Sequence, residues 1–326
     1  MSPGSSRRKF IQGVGATIAT GLTTAIPAHA LLPPDLLYPP MDLSYFDTPI
    51  SAAPADIRIG YAAITWAGKD RQAIEDIAAL GFQGIQLRAN AIKEFDSPLQ
   101  LRDLLQQHQL VMVALSSGSL KIDPAVEAEE IAKHTANAKF VHDAGGLYLQ
   151  ITDQRPKDRK ITAADYKRLG RLLTELGKRT ADLGVTLGYH NHWGTLSESP
   201  QALEQILKAA DARYVKLELD IAHYFVGHGD PAKAIRKHHD RLLFLHIKDA
   251  EWLTSKDGEA GKHPYRFVEL GRGQVDLPAV FDALHRVNFR GWAVVELDGE
   301  TDPARTPKES AAISKKYLEE RLGLKV

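Results

Sequence analysis

Val185-Thr186-Leu187-Gly188-Tyr189-His190-Asn191-His192 is a short apolar run that closes on polar residues. Runs of the same shape occur at Ile57 to Thr65, Gly84 to Leu87, Val111 to Ser116, Leu147 to Ile151, Val215 to Asp220, Leu242 to Lys248 and Trp292 to Leu297, which makes eight strand candidates. Longer amphipathic stretches separate them, among them Asp70 to Leu80, Pro124 to Asp143, Ala163 to Leu183 and Pro200 to Ala209. Gly81, Gly145 and Gly184 stand where helix C-caps would fall. Short apolar strands alternating with helices are the pattern of a parallel sheet covered on both faces. A doubly wound open sheet alternates likewise, but its first strand usually runs into a glycine-rich phosphate loop. Here the first strand runs into Thr65-Trp66-Ala67-Gly68. The pattern therefore predicts an α/β fold, a single-domain (β/α)8 TIM barrel over residues 56–326.

The 326 residues suit one such barrel. Lys plus Arg and Asp plus Glu both total 41, so no global field favours a nucleic acid or an anionic membrane, and a small molecule is the expected partner. The absence of cysteine removes disulfides, thiolate metal sites and cysteine nucleophiles, which leaves His, Asp, Glu or Gln to hold any metal. Ahead of the barrel, Ser6-Arg7-Arg8-Lys9-Phe10-Ile11 precedes an apolar run from Val14 to Ile26 that ends in Ala28-His29-Ala30. Residues 1–30 thus resemble a twin-arginine signal peptide, which implies the twin-arginine export machinery as a partner and a periplasmic or otherwise exported location. The run is interrupted by Gly and Thr and falls short of the ~20 residues that span a bilayer. Residues 31–55, with Pro33, Pro34, Tyr38, Pro39, Pro40, Tyr45 and Phe46, read as an extended Pro- and aromatic-rich arm.

Catalytic groups of a barrel sit at the C-terminal ends of its strands. The fifth to eighth strands end in His190-Asn191-His192, Asp220-Ile221-Ala222-His223, His246-Ile247-Lys248-Asp249 and Glu296-Leu297-Asp298. His190, Asp220, His246 and Glu296 supply two imidazoles and two carboxylates from consecutive strands, a set suited to Mn2+, Mg2+, Co2+ or Zn2+ with positions left open for two sugar oxygens. Each alone has a structural reading: a hydrogen-bonded histidine, a helix N-cap at Asp220, or solvated charges at Glu296 and Asp298. The four together carry the expectation. His192 lies on the same side of its strand as His190 and is open to three roles, as second ligand, proton shuttle or substrate contact. His223 is placed either to orient Asp220 or to touch substrate, and Lys248 either to stabilise an enolate or to pair with Asp249. Gln150 and Asp153 after the fourth strand, and Gln86 and Arg88 after the second, are placed to hydrogen-bond hydroxyls. Trp66 and Trp193 offer apolar faces to a sugar ring or simply pack. Arg272, in Gly271-Arg272-Gly273-Gln274-Val275-Asp276, is a substrate contact or part of a structural turn.

Taken in order, Tyr189-His190-Asn191-His192, Leu217-Glu218-Leu219-Asp220 with His223, Leu245-His246-Ile247-Lys248-Asp249, Glu269-Leu270-Gly271-Arg272-Gly273 and Val295-Glu296-Leu297-Asp298 resemble the xylose isomerase-like superfamily of sugar (phosphate) isomerases and epimerases, which includes inosose dehydratases. The resemblance runs over about residues 56–322. It implies a divalent metal that chelates vicinal sugar oxygens and polarises a carbonyl, so that a nearby base removes the α proton. Isomerisation, epimerisation or β-elimination follows. Many epimerases of this superfamily carry Glu at the end of the fifth strand as well as the eighth. This chain has His190 there, which makes Glu296 and His192 the candidates for proton transfer and moves weight toward a dehydratase or lyase acting on a keto-sugar or keto-glycoside. The expected function is a metal-dependent sugar isomerase or epimerase, followed by such a lyase and then by a metal-independent sugar-binding barrel. DNA-repair endonucleases share the barrel, but neutral charge and the export signal oppose that reading. Many barrels of this kind also pair, so a homo-oligomer is open.

Overall fold

The structure, a computed structural model, describes residues 57–95, 97–253, 264–298, 302 and 304–326; the signal peptide and arm expected over residues 1–55 lie outside the described residues. In chain order the strands are β1 (Ile57–Ala62), β2 (Gly84–Arg88), β3 (Val111–Lys121), β4 (Tyr148–Gln154), β5 (Thr186–His190), β6 (Val215–Asp220), β7 (Leu242–Ile247), β8 (Asp249–Trp252), β9 (Tyr265–Val268) and β10 (Gly291–Val295). The eight strands β1 to β7 and β10 form the closed barrel, with parallel pairing throughout and β10 closing on β1 from Ile57↔Gly291 to Tyr61↔Val295. These are the eight runs read in the sequence. β8 and β9 form a separate antiparallel hairpin beyond the C-terminal end of β7. Four residues a side are too few for strand alternation to register in a sequence.

The helices are α1 (Asp70–Ala79), α2 (Ala91–Glu94), α3 (Pro98–Gln107), α4 (Glu127–Asp143), α5 (Ala163–Asp182), α6 (Pro200–Ala209), α7 (Ile221–Val226), α8 (Pro231–His238), α9 (Leu277–Arg286) and α10 (Pro307–Leu322). Five of them start in one way: Ser97, Ser199, Asp230, Asp276 and Thr306 each accept a bond from the backbone N–H three residues on, with Pro in the first two helical positions. The cap satisfies an otherwise unpaired donor, and proline has no N–H to lose there. At the other ends, Gly81, Gly145 and Gly184 adopt φ of 92°, 74° and 72°, the left-handed turn a non-glycine residue resists.

Side chains alternate between the barrel interior and the helix-facing side along each strand. The interior floor is aromatic: Tyr148 stacks on Phe244 at 5.4 Å, and Trp292 fills the space that Gly84 leaves open, since a Cβ there would lie 2.6 Å from the indole. Two residues beyond Tyr148 and Phe244 the inward side chains are Gln150 and His246, with Glu218 beside them on β6, all buried. The floor keeps water from reaching them from below.

Candidate active site and metal centre

Strand register assembles the site. Asp220 lies opposite His246, His190 opposite Glu218, and the Glu296 N–H donates to the Ile247 carbonyl at 3.1 Å. Asp220 is held from three directions. Its Oδ1 caps α7 by accepting from the His223 N–H at 2.7 Å. The Asn191 side chain grips its backbone both ways, donating to the carbonyl and accepting from the N–H, each at 3.0 Å. The N-cap reading of Asp220 therefore holds alongside the ligand reading, because the cap uses one oxygen and leaves Oδ2 buried without a hydrogen-bond partner.

His190, Asp220 and His246 each offer one ligating atom, and these atoms lie within 4.8 Å of one another. His190 Nδ1 and His246 Nδ1, like Asp220 Oδ2, are buried without a well-directed hydrogen bond. His246 Nδ1 is 3.5 Å from Asp220 Oδ2 and 3.3 Å from Glu296 Oε1, close enough to share a cation and too far off line to bond. Each unpaired buried polar atom costs about 1–3 kcal/mol, and a converging set of imidazole and carboxylate atoms fits a divalent cation, borderline metals such as Zn2+ or Co2+ better than Mg2+. Burial alone would lower the His246 pKa, but Glu218 and then Glu296 hold it well above the ordinary imidazole range. Glu296 lies well below the ordinary carboxylate range despite its burial, pulled down by His246 and Lys248. The pocket asks for positive charge at His246 Nδ1.

Glu218 lies beneath both imidazoles, fully buried, with Oε1 2.8 Å from His246 Nε2 and 3.1 Å from His190 Nδ1; Gln86 Oε1 is also 2.9 Å from His246 Nε2. Neither Glu218 oxygen makes a well-directed hydrogen bond; the Gln86 amide oxygen, which can only accept, takes Nε2–H and leaves Nδ1 of His246 for a metal, while the Glu218 charge favours a cation there. Glu218→Gln is expected to weaken divalent-metal affinity roughly 10- to 100-fold, read by competition with a chromophoric chelator; unchanged affinity would remove Glu218 from that role.

His192 stands outside the His190 group, in a second one with His223 and Asp298. Its Nδ1 is 2.6 Å from the Trp193 carbonyl, which can only accept, so Nδ1 carries the proton and Nε2 presents a lone pair. His223 is the converse: its Nδ1 accepts from the Trp193 N–H at 3.3 Å, which leaves Nε2–H as a buried donor without a partner. The two rings lie 3.6 Å apart by centroid. Burial first, then the His190 charge, lowers the His192 pKa; burial, then His192 and Lys248, takes His223 well below the ordinary value. Both are neutral near pH 7, one an acceptor and one a donor.

The remaining expectations divide. Gln150 is buried with Oε1 unpartnered, on the inward side of β4. Lys248 does not pair with Asp249; its ammonium reaches Asp298 at 2.7 Å and Glu296 at 3.1 Å. Asp249 instead accepts from the backbone N–H groups of Ala250, Gly271, Gly273 and Val275, so the glycine-rich turn is a cage for that carboxylate. Arg272 in that turn is half exposed and 3.6 Å from Glu269, which fits its reading as part of a structural turn. Trp66 packs: it is buried edge-on to Tyr61 and its Nε1 donates to Asp76 at 2.9 Å. Asp153 is taken by the Tyr189 hydroxyl and the Leu196 N–H, each at 2.6 Å, and Arg88 is exposed. Sequence reading gives Glu218 and Asn191 no role and Asp298 only that of a solvated charge, although alternation already places Glu218 on the face of Asp220.

Residues 74–320 match the model of the xylose isomerase-like TIM barrel family. The inosose dehydratase of Bacillus velezensis is 27% identical over 298 residues, which cover 82% of this chain and 97% of that protein. Among solved structures, the IOLI protein with a binding zinc atom superposes with a TM-score of 0.68 at 20% identity, over 81% of this chain and 97% of that one. A probable 3-DHS dehydratase, AsbF, from Bacillus anthracis gives 0.66 at 14%, over 81% and 100%. At these identities the two structures show the shared fold.

Proposed function

Because this chain belongs to the xylose isomerase-like TIM barrel family, we propose that it is a divalent-metal-dependent lyase, one that eliminates water or another β-oxygen leaving group from a keto-sugar or keto-cyclitol. The carrying observation is the pair of neutral histidines with opposite polarity beside the candidate metal group. Isomerisation or epimerisation by two glutamates has little support here, since β5 ends in His190 and Glu296 is engaged by Lys248. The similarity to inosose dehydratases supports the same reaction type.

His190, Asp220 and His246, with Glu296 beside them, would hold the cation, which supplies Lewis acidity to the substrate carbonyl. His192 Nε2 takes the proton α to that carbonyl, and the C–H electron pair moves toward the carbonyl oxygen. Lys248, the buried cation of the site, offsets the negative charge that develops. The pair then returns to form the C=C bond as the β C–O bond breaks, and His192 hands its proton to the departing oxygen. His223 Nε2–H steadies that oxygen by a hydrogen bond. Depressed pKa values suit both roles, since a protonated His192 could not act as base. The resemblance of residues 1–30 to a twin-arginine signal peptide supports an exported place of action, where unphosphorylated keto-sugars or glycosides are the fitting substrates.

Incubating the metal-loaded protein with inosose and with keto-glucosides and measuring product mass tests the reading. A product lighter by one water or by one alcohol is expected. A product of unchanged mass that has acquired solvent deuterium would overturn it in favour of isomerisation or epimerisation.

A further inference from the structure

The β8–β9 hairpin, the loop after β5 and helix α7 carry a run of aromatic rings on the C-terminal side of the barrel. The series starts at the site itself: Phe267 lies 4.0 Å beneath the Lys248 ammonium and 4.8 Å from the His223 ring. It continues outward through Tyr265, 5.3 Å from Phe267, to Trp193 at 5.4 Å and Trp252 at 6.0 Å from Tyr265. Phe225, 6.1 Å from Trp252, extends it. Trp193 and Trp252 meet Tyr265 edge to face, at 78° and 86°. Phe225, Trp193, Trp252 and Phe267 are all partly exposed, and the His228 ring stacks on one face of Trp252 at 5.5 Å and 7° from parallel, which leaves the other face to a ligand. Elimination at the metal group needs one ring of substrate, and that ring is served by polar side chains. The aromatic wall reaches several ring widths beyond it.

We propose that this wall is a second-ring subsite, and that the substrate is a glycoside whose keto-sugar ring sits at the metal group while the ring on its β-oxygen rests against Trp252 and its neighbours. The inference rests on the lyase reading and specifies its leaving group as a ring-bearing alcohol rather than water. Aromatic side chains recognise both the apolar face of a pyranose and an aromatic aglycone. A disaccharide and an aryl glycoside are therefore the two sources of one chemistry.

The test measures binding of unreactive methyl glucoside, phenyl glucoside and cellobiose to the metal-loaded full-length protein by calorimetry, with metal content determined in parallel. The wild type is expected to bind phenyl glucoside or cellobiose about 10-fold more tightly than methyl glucoside, and whichever is preferred identifies the source. Trp252→Ala should erase that preference while leaving metal content and methyl glucoside affinity unchanged, and Trp252→Phe should restore most of it. Equal affinity for all three probes, or a preference that survives Trp252→Ala, overturns the subsite and leaves the lyase reading standing. Absence of bound metal in the wild type overturns both.

Discussion

His246→Ala is expected to yield a folded protein that retains almost no divalent metal after reconstitution and turns over keto-sugar at least about a thousandfold more slowly, the size of effect that loss of Lewis-acid charge stabilisation produces. His246 is the group that meets every other member of the candidate centre. Its Nδ1 faces Asp220 and Glu296, and its Nε2 faces Glu218 and Gln86. Removing it costs a ligand and also leaves three buried carboxylates without the positive charge they surround, so some loss of stability accompanies the loss of metal. His246→Gln, which keeps a hydrogen-bonding side chain of similar reach, separates the two effects. If either variant binds one ion per chain as the wild type does, as elemental analysis would show, the cluster is structural and the metal lies elsewhere or is absent.

Different parts of this arrangement were legible in the sequence for different reasons. Barrel strands buried on both faces read as near-continuous apolar runs, so Leu242 to Lys248 or Trp292 to Leu297 stand out from their amphipathic surroundings, and a polar residue closing such a run marks the mouth. His190, Asp220 and His246 were visible on that signal, and the structure brings them together. Glu218 carried no comparable signal, because it sits inside an apolar run, one layer below the strand end, where a carboxylate has meaning only once two imidazoles are known to lie above it. Direction was the other thing hidden. The sequence offers Lys248 only Asp249 as an acidic partner, and its pairing with Glu296 and Asp298 instead depends on backbone amides some 22 to 26 residues away capturing Asp249. Trp66 follows a barrel strand as Trp193 does, yet one indole turns to Tyr61 and Asp76 and the other to Tyr265. Tertiary packing decides those rotamers, and residue type does not foretell them.

The same dependence on charge around a buried cation makes Lys248 the second informative position. Its ammonium is fully buried, lies over the Phe267 ring at 4.0 Å and is held by Asp298, Glu296 and, at 3.9 Å, Asp220. Burial alone would lower its pKa, but Asp298 first and then Glu296 raise it above that of a free lysine, so it is charged throughout the working range. Breaking a buried ion pair by removing one partner costs about 3–5 kcal/mol. Lys248→Met is therefore expected to lower the melting temperature of metal-free protein by roughly 10 °C, given ~2–4 °C per kcal/mol for a domain of this size. Divalent metal should recover more of that loss in the variant than it adds to the wild type, because it restores positive charge to the same carboxylates. Turnover should fall about a hundredfold with metal content intact, whereas His246→Ala loses both. If metal stabilises Lys248→Met no more than it does the wild type, Lys248 contributes packing alone. If turnover then also survives, charge stabilisation during proton removal rests with the metal and His223.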